Sequence, residues 1–118
     1  MHNFRQLNIW KEARILVKDV YEITQTFPEA EKFGLKSQIN RCAVSVPSNI
    51  AEGSARATDK DFAHYLRISL GSLFELETQL LLAVDLNLLK EGNIIFDRII
   101  VLQKKVSKFI KTIAGDKK

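Results

Sequence analysis

Residues 58–88, TDKDFAHYLRISLGSLFELETQLLLAVDLNL, decide the fold. Phe62, Leu66, Ser69, Leu73, Leu76, Leu80, Ala83 and Asn87 recur every three or four residues. That spacing keeps side chains on one stripe of an α-helix, here for about seven turns. Thr58 and Asp59 form a good N-cap, and Asp61 puts negative charge in the first turn, where the helix dipole favours it. Ile68, Leu70, Phe74, Leu81, Val84 and Leu88 add apolar positions around the stripe. One bundle core needs a narrower face than this, so the excess implies a second buried surface and hence subunit contacts.

The flanking sequence has the same period. Upstream, Ile9, Ala13, Leu16, Val20, Ile23 and Phe27 predict a helix over about 7–26, with Trp10, Val17 and Tyr21 widening its stripe. Phe27-Pro28 closes it, because the residue before a proline is pushed out of the helical region. A second helix is predicted over about 31–55 from Leu35, Ile39, Cys42, Ala43, Val46 and Ile50. Pro47 falls inside it, and the apolar spacing resumes in phase afterwards, so one helix kinked at Pro47 is expected. Ile95, Ile99, Leu102, Val106, Phe109 and Ile113 mark the last helix, about 91–114. Short connections make successive helices antiparallel neighbours, and the expectation is an all-α, up-down-up-down four-helix bundle. It occupies 1–118 as one domain, with 114–118 a basic, flexible tail.

Composition narrows the function. At 46% apolar and 27% charged, 118 residues read as an ordinary globular chain large enough for one core. The single cysteine, Cys42, leaves no internal disulfide and suits a reducing cytoplasm. The longest apolar run, Leu80–Val84, is far short of a membrane span, and the N-terminus lacks the layout of a signal peptide. A cytoplasmic location without membrane attachment is expected. The net charge is +4, unevenly spread. Residues 59–89 hold two basic and five acidic side chains, whereas 90–118 hold eight basic and three acidic. Such polarity favours either an anionic partner near the C-terminus or pairing between the acidic and basic segments.

Two blocks stand out: Arg41-Cys-Ala-Val-Ser-Val-Pro-Ser-Asn-Ile-Ala-Glu-Gly53 and Gly71-Ser-Leu-Phe-Glu-Leu-Glu77. They set Arg41, Asn49, Glu52, Glu75 and Glu77 within helices that otherwise look core-facing. One reading is a polar pocket. The plainer one is a structural network, with Arg41 paired to Glu75 or Glu77 and Asn49 filling the carbonyl freed by Pro47. Gly71-Ser72 would permit close helix approach. With Phe4, Leu7, Trp10, Tyr21, Phe27-Pro28, Glu31, Phe33-Gly-Leu35 and Gln38, these blocks resemble the four-helix-bundle proteins encoded in 23S rRNA intervening sequences. The resemblance covers about Phe4 to Leu89. It departs from the family pattern at Cys42, where alanine is usual, and at Asn87-Leu-Leu, where a Gly-Tyr-like turn is commoner. It implies a ring-like homopentamer, a relation to the basic accessory protein of diversity-generating retroelements, and nucleic-acid binding without an established catalytic activity.

Lys104, Lys108 and Lys111, at i, i+4 and i+7, face away from the apolar seam of the last helix, and Lys117 and Lys118 extend the charge. Lys11, Arg14 and Lys18 repeat that spacing on the first helix. These six are the candidate nucleic-acid contacts, the alternative being a solvated face with local pairs such as Lys18–Glu22. No motif of stacking aromatics is evident, so recognition of shape and phosphate is expected rather than of bases. Two histidines and one cysteine offer no zinc spacing, no Glu-x-x-His pair exists for a di-iron bundle, and alternate positions such as Glu75 and Glu77 diverge too widely for magnesium. The expectation is a non-enzyme without metal or cofactor, binding RNA in preference to DNA. The alternative is a scaffold presenting a ring surface to a partner such as a polymerase. An enzyme with a site around Asn49, Glu52 and Glu75 is a third class.

Overall fold

The computed structural model describes residues 2–31 and 33–115. Four helices dominate: α1 (Asn8–Thr24), α2 (Leu35–Ser54), α3 (Asp59–Asp85) and α4 (Ile95–Ala114). Single 3-10 turns at Phe4–Gln6 and Glu29–Glu31 precede α1 and α2, and no strand occurs among the described residues. The all-helical expectation holds. Residues 116–118, with Lys117 and Lys118 of the predicted tail, lie outside the described residues.

The helix ends follow from local chemistry. At the start of α3 the Thr58 side chain accepts from the Asp61 amide at 3.1 Å, as its N-cap role requires. Expected starts at about 31 and 91 move to Leu35 and Ile95. Gly34 adopts φ −104°, ψ −119°, outside the helical region, which separates the Glu29–Glu31 turn from α2. Asn93 Oδ1 accepts from the Ile95 amide at 2.9 Å and so occupies a donor at the head of α4. α3 stops at Asp85, and Asn87 is not part of its stripe. Asn87 sits at φ +61°, while the Leu88 amide bonds Ala83 O at 2.8 Å and the Asn87 amide bonds Val84 O at 3.0 Å. This is the Schellman ending, with asparagine in the left-handed position that glycine usually fills.

Hydrogen bonds fix the packing order. Thr24 bonds Asn40 across α1 and α2 at 2.9 Å, and Ser69 donates to Val46 O across α2 and α3 at 2.9 Å. Gln103 reaches Glu77 across α3 and α4 at 2.8 Å. α4 then returns beside α1, where Arg98 pairs with Asp19 and Lys105 with Glu12 at 2.8 Å. In that last seam the later α4 residue meets the earlier α1 residue, so the two helices run antiparallel. Inside lie Val20, Ile39, Val46, Ile50, Phe62, Leu66, Leu73, Leu76, Leu80 and Ile99, all essentially without solvent contact.

α2 continues unbroken through Pro47. Near it, Ser45 Oγ donates to Cys42 O at 2.6 Å and Asn49 Nδ2 to Ser45 O at 2.8 Å. The carbonyl deprived of a partner by a proline belongs to the residue four positions earlier, here Ala43. Asn49 therefore does not fill the freed carbonyl; its amide reaches back one turn to Ser45.

α2 packs closely on α3 at Gly53. A Cβ there would stand 2.7 Å from Tyr65 Cβ and 2.9 Å from Phe62 Cδ1. Gly53→Ala is expected to cost about 1–3 kcal/mol by overpacking, read as a lowered urea midpoint. Asn87→Val should cost about 1–2 kcal/mol for a branched side chain in the left-handed region, while Asn87→Gly should preserve or raise stability. Equal midpoints for all three variants would show that neither position constrains the fold.

Candidate nucleic-acid interface

The antiparallel return of α4 decides where the predicted basic residues sit. Lys11, Arg14 and Lys18 are exposed on α1, and Lys104, Lys108 and Lys111 are exposed on α4. Lys11 and Lys108 line one cleft across the α1–α4 seam, together with Lys105, Asn8 and Phe109. On one side, Lys11 continues into a cleft with Arg14, Arg5, Phe4 and Trp10. On the other, Lys108 continues into a groove between α3 and α4, with Lys104 and Lys111 above Leu70, Phe74 and Ile100. The two stripes are thus one basic band, joined at Lys11 and Lys108. Lys18, nearly two turns beyond Lys11 on α1, lines none of these clefts.

Within the band, Glu12 is paired with Lys105. An exposed pair of this kind contributes about 0–1 kcal/mol to stability. Its larger consequence is electrostatic, since it offsets the acid lining the cleft and leaves Lys11, Lys104, Lys108 and Lys111 to face solvent. None of these four has an ion-pair partner among the described residues.

Three members of the band carried no functional signal in sequence. Phe4 and Trp10 stand with ring centroids 4.9 Å apart, edge to face. The Arg14 guanidinium lies 5.6 Å from the Trp10 centroid, and that of Arg5 lies 5.9 Å from Phe4. Trp10 read as the flank of an apolar stripe. It does pack against the core while remaining half-buried. Only the turn at Phe4–Gln6, with Asn3 Oδ1 accepting from the Arg5 amide at 3.1 Å, brings Phe4 and Arg5 beside it.

The polar set of α2 and α3 is not one network. Arg41 is exposed and has no hydrogen-bond or ion-pair partner among the described residues, so its pairing with Glu75 or Glu77 does not form within the chain. Glu77 instead accepts from Gln103 on α4. Glu52 pairs with Arg56 at 2.9 Å, and Arg56 also donates to the Tyr65 hydroxyl at 2.6 Å. Asn49 serves the α2 backbone. These residues fail to converge because they leave their helices on different sides. Gly71 also departs from expectation: a Cβ there meets nothing within 4 Å, so it permits no close approach inside the chain. Among the described residues, no group of three His, Cys, Asp or Glu side chains could hold a metal, and no helix is long and apolar enough to cross a membrane.

Architecture and surface together define a basic four-helix-bundle protein. Its family can be stated more closely: residues 5–112 match the family model described as 23S rRNA-intervening sequence protein. The chain belongs to that family. No curated protein matches it.

Cys42 is buried between α2 and α3. Its thiol donates to Ser72 O at 3.1 Å and lies 3.6 Å from Glu75 Oε1. Burial first, then the Glu75 charge and hydrogen bond, push its pKa from 9.0 up to about 12. The folded chain therefore holds this proton where the unfolded chain releases it. The stability it confers is complete below pH 9.0 and falls as pH rises toward about 12. Urea unfolding of the wild type between those limits should lose up to about 1.4 kcal/mol per pH unit relative to Cys42→Ala. Parallel pH profiles for the two would contradict this assignment.

Proposed function

We propose that this is a non-catalytic nucleic-acid-binding protein of the cytoplasm that acts as a homo-oligomer on structured RNA through lysine and arginine contacts to phosphate. The observation that carries this reading is the joining of two separate stripes into one band at Lys11 and Lys108. A band crossing two helices can follow a phosphate backbone, whereas one helical stripe offers only a short row of charges. Membership of a family named for a ribosomal RNA insertion favours RNA over DNA as the partner. Repetition of the band in an assembly would turn modest contacts into avidity.

Assembly is supported by the outward side of α3. Ile68, Phe74, Leu81 and Leu82 are between 41% and 54% exposed, and Gly71 lies among them in open space. A glycine within an exposed helix costs about 1 kcal/mol relative to alanine, and no described residue lies within 4 Å of its Cβ position to offset that cost. Close approach of a second copy would. Five copies is the number implied by the family resemblance. The same apolar side supports a second reading, a scaffold that presents its surface to a protein partner such as a polymerase.

The first test is binding of a labelled structured RNA and a duplex DNA across salt concentrations. Affinity for RNA should fall at least about tenfold between low and physiological salt, the mark of counterion release. Replacing Lys104, Lys108 and Lys111 with Glu should abolish tight binding, and reversing Lys11 and Arg14 should weaken it comparably. An absence of RNA binding even at low salt would move the scaffold reading into first place. For assembly, Gly71→Ala should raise helix stability yet shift light-scattering mass toward monomer. An unchanged mass would remove α3 from the interface.

A further inference from the structure

The cleft formed by Phe4, Arg5, Trp10, Lys11 and Arg14 differs in chemistry from the rest of the band. It has a volume of about 770 Å³ and no acidic lining residue among those described. It joins two aromatic rings to three cationic side chains, whereas the α3–α4 groove sets its lysines beside one ring, Phe74, with Leu70, Ile100 and the polar Gln103 and Ser107. A duplex presents phosphates and has its bases stacked away, so it has no use for exposed rings. An unpaired nucleotide presents both a phosphate and a π-face.

We infer that this cleft takes an unpaired nucleotide of an RNA, its base stacked against Trp10 beside the Arg14 guanidinium and its flanking phosphates held by Arg5 and Lys11. The inference rests on the RNA-binding reading above and adds what that reading lacks, a place that distinguishes single-stranded from paired RNA. The indole is already positioned for this role. Phe4 abuts it edge-on, it packs against the core while staying half-buried, and the Arg14 guanidinium stands 5.6 Å from its centroid as a planar cation able to share a base with it. Lys11 lines both this cleft and the next, so a strand leaving the indole passes directly toward Lys105 and Lys108. A single-stranded end or bulge would then occupy the cleft while adjoining structured RNA follows the band.

Trp10 is the only tryptophan of the chain, so its fluorescence reports on this cleft alone. The wild-type protein is titrated with a single-stranded RNA 12-mer, with the same RNA in a blunt duplex, and with the corresponding DNA strand. Stacking should quench Trp10 with the RNA strand and leave it nearly unchanged with the duplex. Arg14→Ala, at an exposed position, and Trp10→Leu should each weaken single-strand binding, by anisotropy, about five- to a hundredfold, with duplex binding nearly unaltered. RNA binding without quenching or preference for the single strand would overturn the cleft assignment and leave the band intact. Equal quenching by the DNA strand would overturn the assignment to RNA. Binding of none of the three at low salt would overturn the cleft together with the reading on which it rests.

Discussion

The return of α4 beside α1 is the constraint on which the rest of this surface depends. It closes the bundle, buries Ile99 and Val106 with the apolar stripe of α1, and is bridged outside by Asp19–Arg98 and Glu12–Lys105. The bridges contribute little energy because they are exposed, and burial of the apolar seam supplies most of what holds the helices together. Closure also has an electrostatic result. Lys11 and Lys108, nearly a hundred residues apart in sequence, come to border one cleft.

Helix identity was readable because apolar residues at three- and four-residue spacing leave few alternatives, and Thr58 and Pro28 punctuate that spacing in recognisable ways. Helix limits were less readable. Glu31 and Glu91 continue an apparent pattern, but Gly34 and Asn93 take up conformations and hydrogen bonds that delay the helices, and such geometry has only a faint trace in composition. Asn87 matched the α3 period by position alone. A left-handed residue closing the helix there follows from the backbone, where the Leu88 and Asn87 amides satisfy the last carbonyls.

The candidate site was legible in its parts and not in its arrangement. Periodicity found both basic rows, but relating them required knowing which helices touch. Arg41 was set beside Glu75 or Glu77 because charges within core-facing helices are expected to pair, whereas Arg41 and Glu75 are both exposed. The aromatic end of the band was missed for a different reason. Phe4 and Arg5 precede the first helix, and their place beside Trp10 depends on one 3-10 turn capped by Asn3.

A protein of this design separates two surfaces. The outward side of α3, with Gly71 and its exposed apolar residues, has the character of a packing face, and the α1–α4 side has that of an anion-binding face. Phe74 borders both, since it also lines the groove beneath Lys104 and Lys111. Lysine footprinting in the presence and absence of a structured RNA tests the continuity of the band most directly. Lys11, Lys104, Lys108 and Lys111 should be protected from acetylation together, at one RNA concentration, while Lys36 and Lys90 at the far end of the bundle react as before. Protection of only the α1 or only the α4 lysines, or uniform reactivity throughout, would contradict a single band formed by the return of α4.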